Sequence, residues 1–178
     1  MNPLDELTSL TRLFPSRDPL IVNADHIPAS QTPEPYKRLL VHDHHMTITL
    51  EEYHRSSVQV TVLDCHQEGD TYCRKIMLHR SDDKRPVLFG LVRFNFEFVT
   101  PAVREEIIEG KIPLGRVLIT HNVFRHIDLG AILEITPGKE LRDLLQIPEG
   151  KLTYGRLATI FCNRSPAVDL LEVSSPLV

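Results

Sequence analysis

The sequence lacks the features that mark membrane, secreted and nucleic-acid-binding proteins. No apolar run approaches the roughly 18 residues of a membrane span. The N-terminus carries Asp5 and Glu6, whereas a secretory signal has a basic segment before an apolar one. The net charge of the 178 residues is −4, so no basic excess indicates binding to nucleic acid or an anionic membrane. We therefore expect a cytoplasmic protein with neither as a partner.

The chain is also poor in cysteine, and its three cysteines form no CxxC pair. Cys65 and Cys73 could face each other across a hairpin. An odd count without an export signal instead favours free thiols in a reducing compartment. The P-loop, GxGxxG, GxSxG and HExxH motifs are absent as well. Function therefore has to be inferred from scattered residues.

What remains is the composition of an ordinary globular protein, with 42% apolar and 25% charged residues. Residues 1–35 contain one short amphipathic helix candidate and then a proline-rich stretch, and we interpret them as an arm on the surface. Residues 36–178 are predicted to form one domain, which is long enough to bury a core.

Six segments have the apolar, β-branched pattern of strands. Short turn-like connections favour antiparallel hairpins, and no strand–helix–strand alternation indicates a parallel sheet. We predict a single α+β domain with an antiparallel sheet of about six strands. Short helices on one face or at the ends of the sheet would form flaps over a ligand pocket. The predicted strands are 58–64, 69–80, 85–99, 123–137, 153–162 and 166–174.

Two predicted helix starts offer backbone amides that could bind an anion. Thr47 is an N-cap candidate, and the amide of Met46 lies just before that helix. A helix that begins at Pro113 would leave the amides of Leu114 and Gly115 without intrahelical partners. Both features are weak alone, because most helix N-termini bind only water.

The segment HDHH at 42–45 is the most metal-like cluster in the sequence. His42 and His44 could bind a transition metal together with a third ligand elsewhere. No second ligand pair stands at a matching spacing, so we favour a polar loop whose histidines are solvated or cap the next helix. The sequence predicts neither a metal nor an organic cofactor.

Charged residues inside strand segments are a further pattern. Arg74 and Lys75 are neighbours in a strand, so one of them has to point at the covered face. Arg156 and Glu172 lie in the last two predicted strands. Because buried charge is costly unless paired, one interpretation is a structural arginine–glutamate salt bridge or an exposed sheet face. The other is a pocket with arginines for a carboxylate and an acid for a hydroxyl group.

The segments RKIML, RPVLFG, PLGRVL, YGR and LLEVSSP resemble the chorismate pyruvate-lyase family over about residues 36–178. MTITLEEYH is similar to its archaeal and bacterial branch. The resemblance implies a six-stranded antiparallel sheet with helical flaps over a buried ligand. It places ligand-binding side chains at Arg74 and Glu172 and main-chain contacts at Met46 and Leu114. Arg156 is carried over on the shared GR alone. The three histidines of HDHH and the N-terminal arm depart from the family.

The resemblance implies an enzyme that converts chorismate to 4-hydroxybenzoate and pyruvate by elimination, without a cofactor. Arg74, with the amide of Leu114, would hold the ring carboxylate. Arg156 would hold the enolpyruvyl carboxylate. Glu172 would bind the 4-hydroxyl group and assist proton removal. Glu172 and Arg74 are thus the predicted catalytic residues.

Two other functions remain open. The effector-binding domains of some bacterial repressors share this fold and bind ligands without catalysis. They normally follow a DNA-binding helix-turn-helix, for which residues 1–35 are short and proline-rich. An enzyme of the same fold that acts on another cyclic carboxylate is the third possibility. The sequence leaves the oligomeric state open between monomer and dimer.

Overall fold

A seven-stranded antiparallel sheet forms the centre of the structure, a computed structural model that describes residues 2–177. The strand order is β1-β5-β6-β7-β4-β3-β2, so the last strand of the chain lies in the middle of the sheet. The strands are β1 (Ile21–Ile27), β2 (Val58–Glu68), β3 (Thr71–Arg80), β4 (Pro86–Asn95), β5 (Arg125–Pro137), β6 (Thr153–Cys162) and β7 (Ser165–Ser174).

Short helices cover both faces of the sheet. Two 3-10 turns, Ala29–Gln31 and Phe96–Phe98, accompany them. None of the helices in the described residues is long and apolar enough to cross a membrane. The α-helices are α1 (Pro3–Thr11), α2 (Tyr36–Leu40), α3 (Met46–His54), α4 (Pro101–Glu109), α5 (Leu114–Thr120) and α6 (Lys139–Leu145).

The strands sort their side chains to two buried faces. One face, which we call the packed face, buries Met77, Phe89 and Leu171 with leucines of α1 and α6. The opposite face, which we call the pocket face, carries Arg74, Ile76, Gly90, Val92, Arg156, Leu170 and Glu172, and α2–α5 cover it. Because both faces are apolar, the helices lie on both, whereas the sequence suggested one face or the ends of the sheet. The predicted α+β class with one antiparallel sheet is confirmed.

The seventh strand comes from the segment interpreted as an arm. β1 pairs with the edge of β5, from Ile21 opposite Pro137 to Ile27 opposite Ile132. Its sequence, IVNADHI, has mostly exposed side chains without strict alternation. Backbone pairing with a partner strand specifies this strand, and that partner is distant in the sequence. The separation of residues 1–35 from the rest as a folding unit stays a prediction.

Capping explains where α4 starts and ends. Thr100 accepts a hydrogen bond from the Val103 amide at 3.5 Å, and Gly110 ends α4 with a φ of 69°. The N-cap of α3 is His45 and not the predicted Thr47, which lies inside the first turn and is buried. The shift matters because it puts a histidine side chain at the start of α3, beside the pocket face.

Candidate functional site

Two neighbouring rows of side chains on the pocket face form the floor of a cavity. Glu172 of β7 lies opposite Gly90 of β4 on one side and Arg156 of β6 on the other. Arg74 of β3 lies opposite Val92 of β4, two positions along from Gly90. The register of four adjacent strands thus brings two arginines and one glutamate to the same floor.

Two helical flaps cover this floor. The first consists of α2 and α3, and the second of α4 and α5. They approach each other at Gly115, where a Cβ atom would lie 3.1 Å from Thr47 Oγ1 and 3.2 Å from His45 Nδ1. That spacing is tight for a side chain, so glycine allows the start of α5 to lie against the start of α3.

The cavity between floor and flaps has a volume of about 540 Å³, including the open space at its mouth. Its wall is largely apolar, with a few charged and polar groups, which is the usual character of a small-molecule site. The lining residues are His45, Met46, Thr47, Val60, Arg74, Ile76, Leu78, Leu88, Gly90, Val92, Pro113, Leu114, Gly115, Ile127, Arg156, Ile160, Leu170 and Glu172.

Arg74 is a buried cation that lacks a carboxylate partner among residues 2–177. Its Nη1 donates to the Ile107 carbonyl at 3.3 Å, and its Nε has no hydrogen-bond partner within that range. Burial lowers its pKa, and the neighbouring Tyr72 and Cys65 oppose that shift. An unpaired buried charge is costly. A ligand carboxylate would offset the cost.

Arg156 is equally buried but has protein acceptors for its guanidinium. Its Nε donates to Glu172 Oε2 at 2.6 Å. Its Nη1 donates to the His42 carbonyl at 3.1 Å, and its Nη2 to the His44 carbonyl at 3.3 Å. Arg156 therefore links the sheet floor to the loop before α3. This arrangement matches the salt-bridge alternative for Arg156 and Glu172.

Two histidines of that loop are held neutral. Burial lowers the pKa of His45 to about 4, and the positive charges of Arg125 and Arg156 add to the shift. The pKa of His42 is also lowered to about 4, first by burial and then by Arg156. His42 Nε2 lies 2.7 Å from the Leu39 carbonyl oxygen. Neutral imidazole is the form that these desolvated, cation-flanked positions favour.

The metal alternative for the HDHH segment has no support in the geometry. No group of three His, Cys, Asp or Glu residues that could hold a metal ion occurs in the described part of the chain. His42 Nδ1 accepts a hydrogen bond from the His44 amide at 3.1 Å. The three cysteines, Cys65, Cys73 and Cys162, are free.

All six predicted site residues line the same cavity, although they come from five different elements. Their roles in binding stay predictions. The residues are Met46, Arg74, Leu114, Gly115, Arg156 and Glu172. Lys75 lies on the packed face and forms a salt bridge with Glu140 at 2.8 Å. Arg74 and Lys75 therefore point to opposite faces of the sheet, as the alternation in the sequence predicted.

Sequence reasoning missed two contributors to the site. His45 was considered only as a solvated or helix-capping residue of the HDHH segment, yet its side chain lines the cavity. Gly90 lies in the floor, where a Cβ would be 3.0 Å from Ile76 Cδ1. A glycine inside an otherwise apolar strand was the available indication, because such glycines often mark a close approach.

Comparison with known proteins gives the fold. No protein-family model and no curated protein matches the chain. PhnF from Mycobacterium smegmatis has a similar structure, with 11% identity, a TM-score of 0.50 and coverage of 72% of this chain. This chain covers 62% of that one, so it matches less than two thirds of PhnF.

Two further similar structures belong to repressors. The C-terminal domain of the histidine utilization repressor from Pseudomonas syringae is 12% identical, with a TM-score of 0.46 and coverage of 66% of this chain and 91% of that one. The effector-binding domain of the Bacillus subtilis trehalose repressor is 14% identical, with a TM-score of 0.40 and coverage of 67% and 94%. The fold, which the chain shares with PhnF, is the chorismate lyase-like one.

The prediction of an enzyme is wrong on this finding. The similar structures are named as transcriptional regulators, repressors and their effector-binding domains. The contacts of Glu172 agree with the correction, because Oε2 of the predicted catalytic acid is already paired with Arg156 at 2.6 Å. Arg74 and Glu172 stay candidate ligand-binding residues.

Proposed function

We propose that this protein is a non-catalytic effector-binding domain and that its ligand is a small organic carboxylate. The observation that carries the proposal is Arg74, a guanidinium 1% exposed at the wall of a cavity, without an acid partner among residues 2–177. The wider similarity to regulator domains supports the same class of function.

The unused donor of Arg74 supports a carboxylate as the bound group. Its Nε has no hydrogen-bond partner in the described part of the chain, and Nη1 has only the long contact to Ile107. A carboxylate can accept two parallel N–H bonds from a guanidinium, and such charge-assisted bonds are about twice as strong as neutral ones. The ligand would thus supply the anion that the chain does not.

The remainder of the cavity supports an apolar ligand body with a hydrogen-bond donor. Aliphatic side chains such as Val92, Leu170 and Ile160 make up most of the lining. Glu172 also lines it, and only its Oε2 is used by Arg156. A carboxylate has two acceptor oxygens, so the second can accept a ligand hydroxyl. Hydroxylated aromatic carboxylates therefore fit the polarity of the site.

Calorimetry and thermal unfolding with matched small molecules test the proposal. We expect 4-hydroxybenzoate to bind and to raise the melting temperature, because a ligand that binds only the folded state stabilises it. The neutral analogue 4-hydroxybenzamide should bind at least about tenfold more weakly, since it loses the charge-assisted bonds to Arg74. Incubation with chorismate should release no pyruvate.

Two variants distinguish the pocket face from the packed face. Arg74→Met should lose the preference for carboxylate over amide, whereas Lys75→Met on the packed face should keep it. Equal affinity of wild type for 4-hydroxybenzoate and 4-hydroxybenzamide would contradict the carboxylate proposal. Pyruvate release from chorismate would contradict the non-catalytic one.

A further inference from the structure

His45 is a second polar group at the cavity, and its hydrogen-bonding state is fixed by its neighbour. The residue is 8% exposed and lines the cavity from the start of α3. Arg125 Nε lies 2.7 Å from His45 Nε2, and Arg125 Nη1 also donates to the Val123 carbonyl at 3.0 Å. The arginine is therefore held in place from two sides.

The chemistry of arginine decides which nitrogen carries the proton. A guanidinium has only N–H donors, so His45 Nε2 has to be the acceptor in this contact. In a neutral imidazole the other nitrogen then carries the hydrogen. The neutral form is the one expected here, because burial and the charges of Arg125 and Arg156 lower the pKa of His45 to about 4. His45 Nδ1 is consequently an N–H donor.

That donor lies at the cavity wall. Nδ1 is 3.2 Å from the position that a Cβ on Gly115 would occupy, and Gly115 itself lines the cavity. The hydrogen bonds of the His45 ring within residues 2–177 go through Nε2. Because Nε2 is engaged by Arg125, the Nδ1–H group is the ring donor that remains for a ligand acceptor.

We propose that His45 is a specificity-determining residue whose Nδ1–H donates to a neutral acceptor on the ligand, such as a carbonyl, ether or hydroxyl oxygen, while Arg125 holds the ring. This inference rests on the proposed function, since it concerns the same ligand. It adds a second recognition group to the carboxylate: the ligand carries an uncharged oxygen that faces the start of α3.

The tautomer of His45 is measurable without any ligand. Nitrogen-15 NMR of histidine-labelled protein distinguishes a ring protonated at Nδ1 from one protonated at Nε2. We expect His45 to be neutral and protonated at Nδ1 at pH 7, and to lose that preference in Arg125→Leu. A neutral wild-type ring protonated at Nε2, or a charged ring at pH 7, would overturn the proposal whatever the protein binds.

Two amide substitutions separate the roles of the two ring nitrogens. His45→Asn places an N–H group near the position of Nδ1 but removes the acceptor for Arg125. His45→Gln can offer an oxygen near the position of Nε2 but removes the Nδ1 donor. The probes are 4-methoxybenzoate and 3-methoxybenzoate. Their controls are 4-ethylbenzoate and 3-ethylbenzoate, in which a CH₂ group replaces the ether oxygen and the carboxylate is unchanged.

We expect wild type to prefer at least one methoxybenzoate over its ethyl counterpart by roughly three- to tenfold, the range for one neutral hydrogen bond. His45→Gln should abolish this preference, and His45→Asn should retain part of it. Carboxylate binding through Arg74 with an equal preference in wild type and His45→Gln would overturn the role of His45 alone. If none of the four carboxylates binds wild type, the proposed function fails and this inference fails with it.

Discussion

Arg74 and Arg156 are two arginines of equal burial on one face of one sheet, and they differ in what surrounds their charge. Both are 1% exposed and both line the same cavity, with two strands between them. Arg156 has a carboxylate and two backbone carbonyls as acceptors. Arg74 has one backbone carbonyl and a hydrogen bond with the Tyr72 side chain, and no carboxylate among residues 2–177. Arg156 thus stabilises the fold at one end of the cavity, whereas Arg74 is available to bind a ligand at the other.

The difference originates in the loop at 42–45. The backbone carbonyls of His42 and His44 point toward the sheet and accept hydrogen bonds from the two terminal nitrogens of Arg156. The helical flap above Arg74 provides only the Ile107 carbonyl, which belongs to the last turn of α4. A buried ion pair whose donors all have acceptors costs the folded state little. A buried charge without a partner lowers the stability of the folded state until a counter-ion binds.

The largest effect on stability is expected from breaking the ion pair between Arg156 and Glu172. Glu172→Gln keeps the shape of the side chain but leaves Arg156 without its counter-charge. Because removing one member of a buried pair strands the other, we expect the free energy of unfolding to fall by about 3–5 kcal/mol. Urea unfolding monitored by circular dichroism measures it.

A double variant serves as the control for this effect. Arg156→Met with Glu172→Leu removes both charges, so it should be markedly more stable than Glu172→Gln alone. A single variant as stable as wild type would show that the pair does not hold the floor together, and would return Glu172 to the ligand-binding role alone.

Low pH should also destabilise the Arg156 end of the cavity. The pKa values of His42 and His45 are about 4 in the folded protein, against an ordinary value of 6.5. The unfolded chain therefore binds more protons between these values. The free energy of unfolding is at its full value above about pH 6.5 and falls as the pH drops toward 4, by up to about 1.4 kcal/mol per pH unit for each histidine.

Urea unfolding at pH 7, 6 and 5 checks this dependence. His45→Gln should reduce the slope by the share of one histidine. A free energy of unfolding that is constant from pH 7 to pH 5 would contradict the neutral, buried state of both rings.

Substitution of Arg74, at the other end of the cavity, should not lower the free energy of unfolding. Arg74→Met removes a buried charge that has no acid partner among residues 2–177. We expect the ligand-free protein to keep its free energy of unfolding or to gain up to about 1 kcal/mol, because the desolvation cost disappears with the charge. At the same time, stabilisation by 4-hydroxybenzoate should be lost. A loss comparable to that of Glu172→Gln would mean that Arg74 has a structural partner after all.

Much of this comparison could be predicted from the sequence. Charges inside strands have few stable explanations, and period-two alternation separated Arg74 from Lys75 correctly. The sequence could not tell which arginine is paired, because the carbonyls that bind Arg156 come from a loop more than 100 residues away. For a similar reason β1 was missed, since its strand depends on pairing with β5 and not on its own side chains. The histidine cluster was interpreted by composition, whereas its contacts are set by Arg125 and Arg156.

The smallest effect concerns the floor between the two arginines. Gly90 lies opposite Glu172, and a Cβ there would be 3.0 Å from Ile76 Cδ1, the flexible end of a side chain. Gly90→Ala should therefore cost only about 1 kcal/mol of stability, the lower range for overpacking. The added methyl group narrows the cavity, so 4-hydroxybenzoate should bind a few-fold more weakly while the preference for carboxylate over amide persists. Calorimetry with both ligands measures this. Unchanged affinity for 4-hydroxybenzoate in a folded Gly90→Ala protein would mean that the ligand lies elsewhere, and the comparison of the two arginines would then describe stability alone.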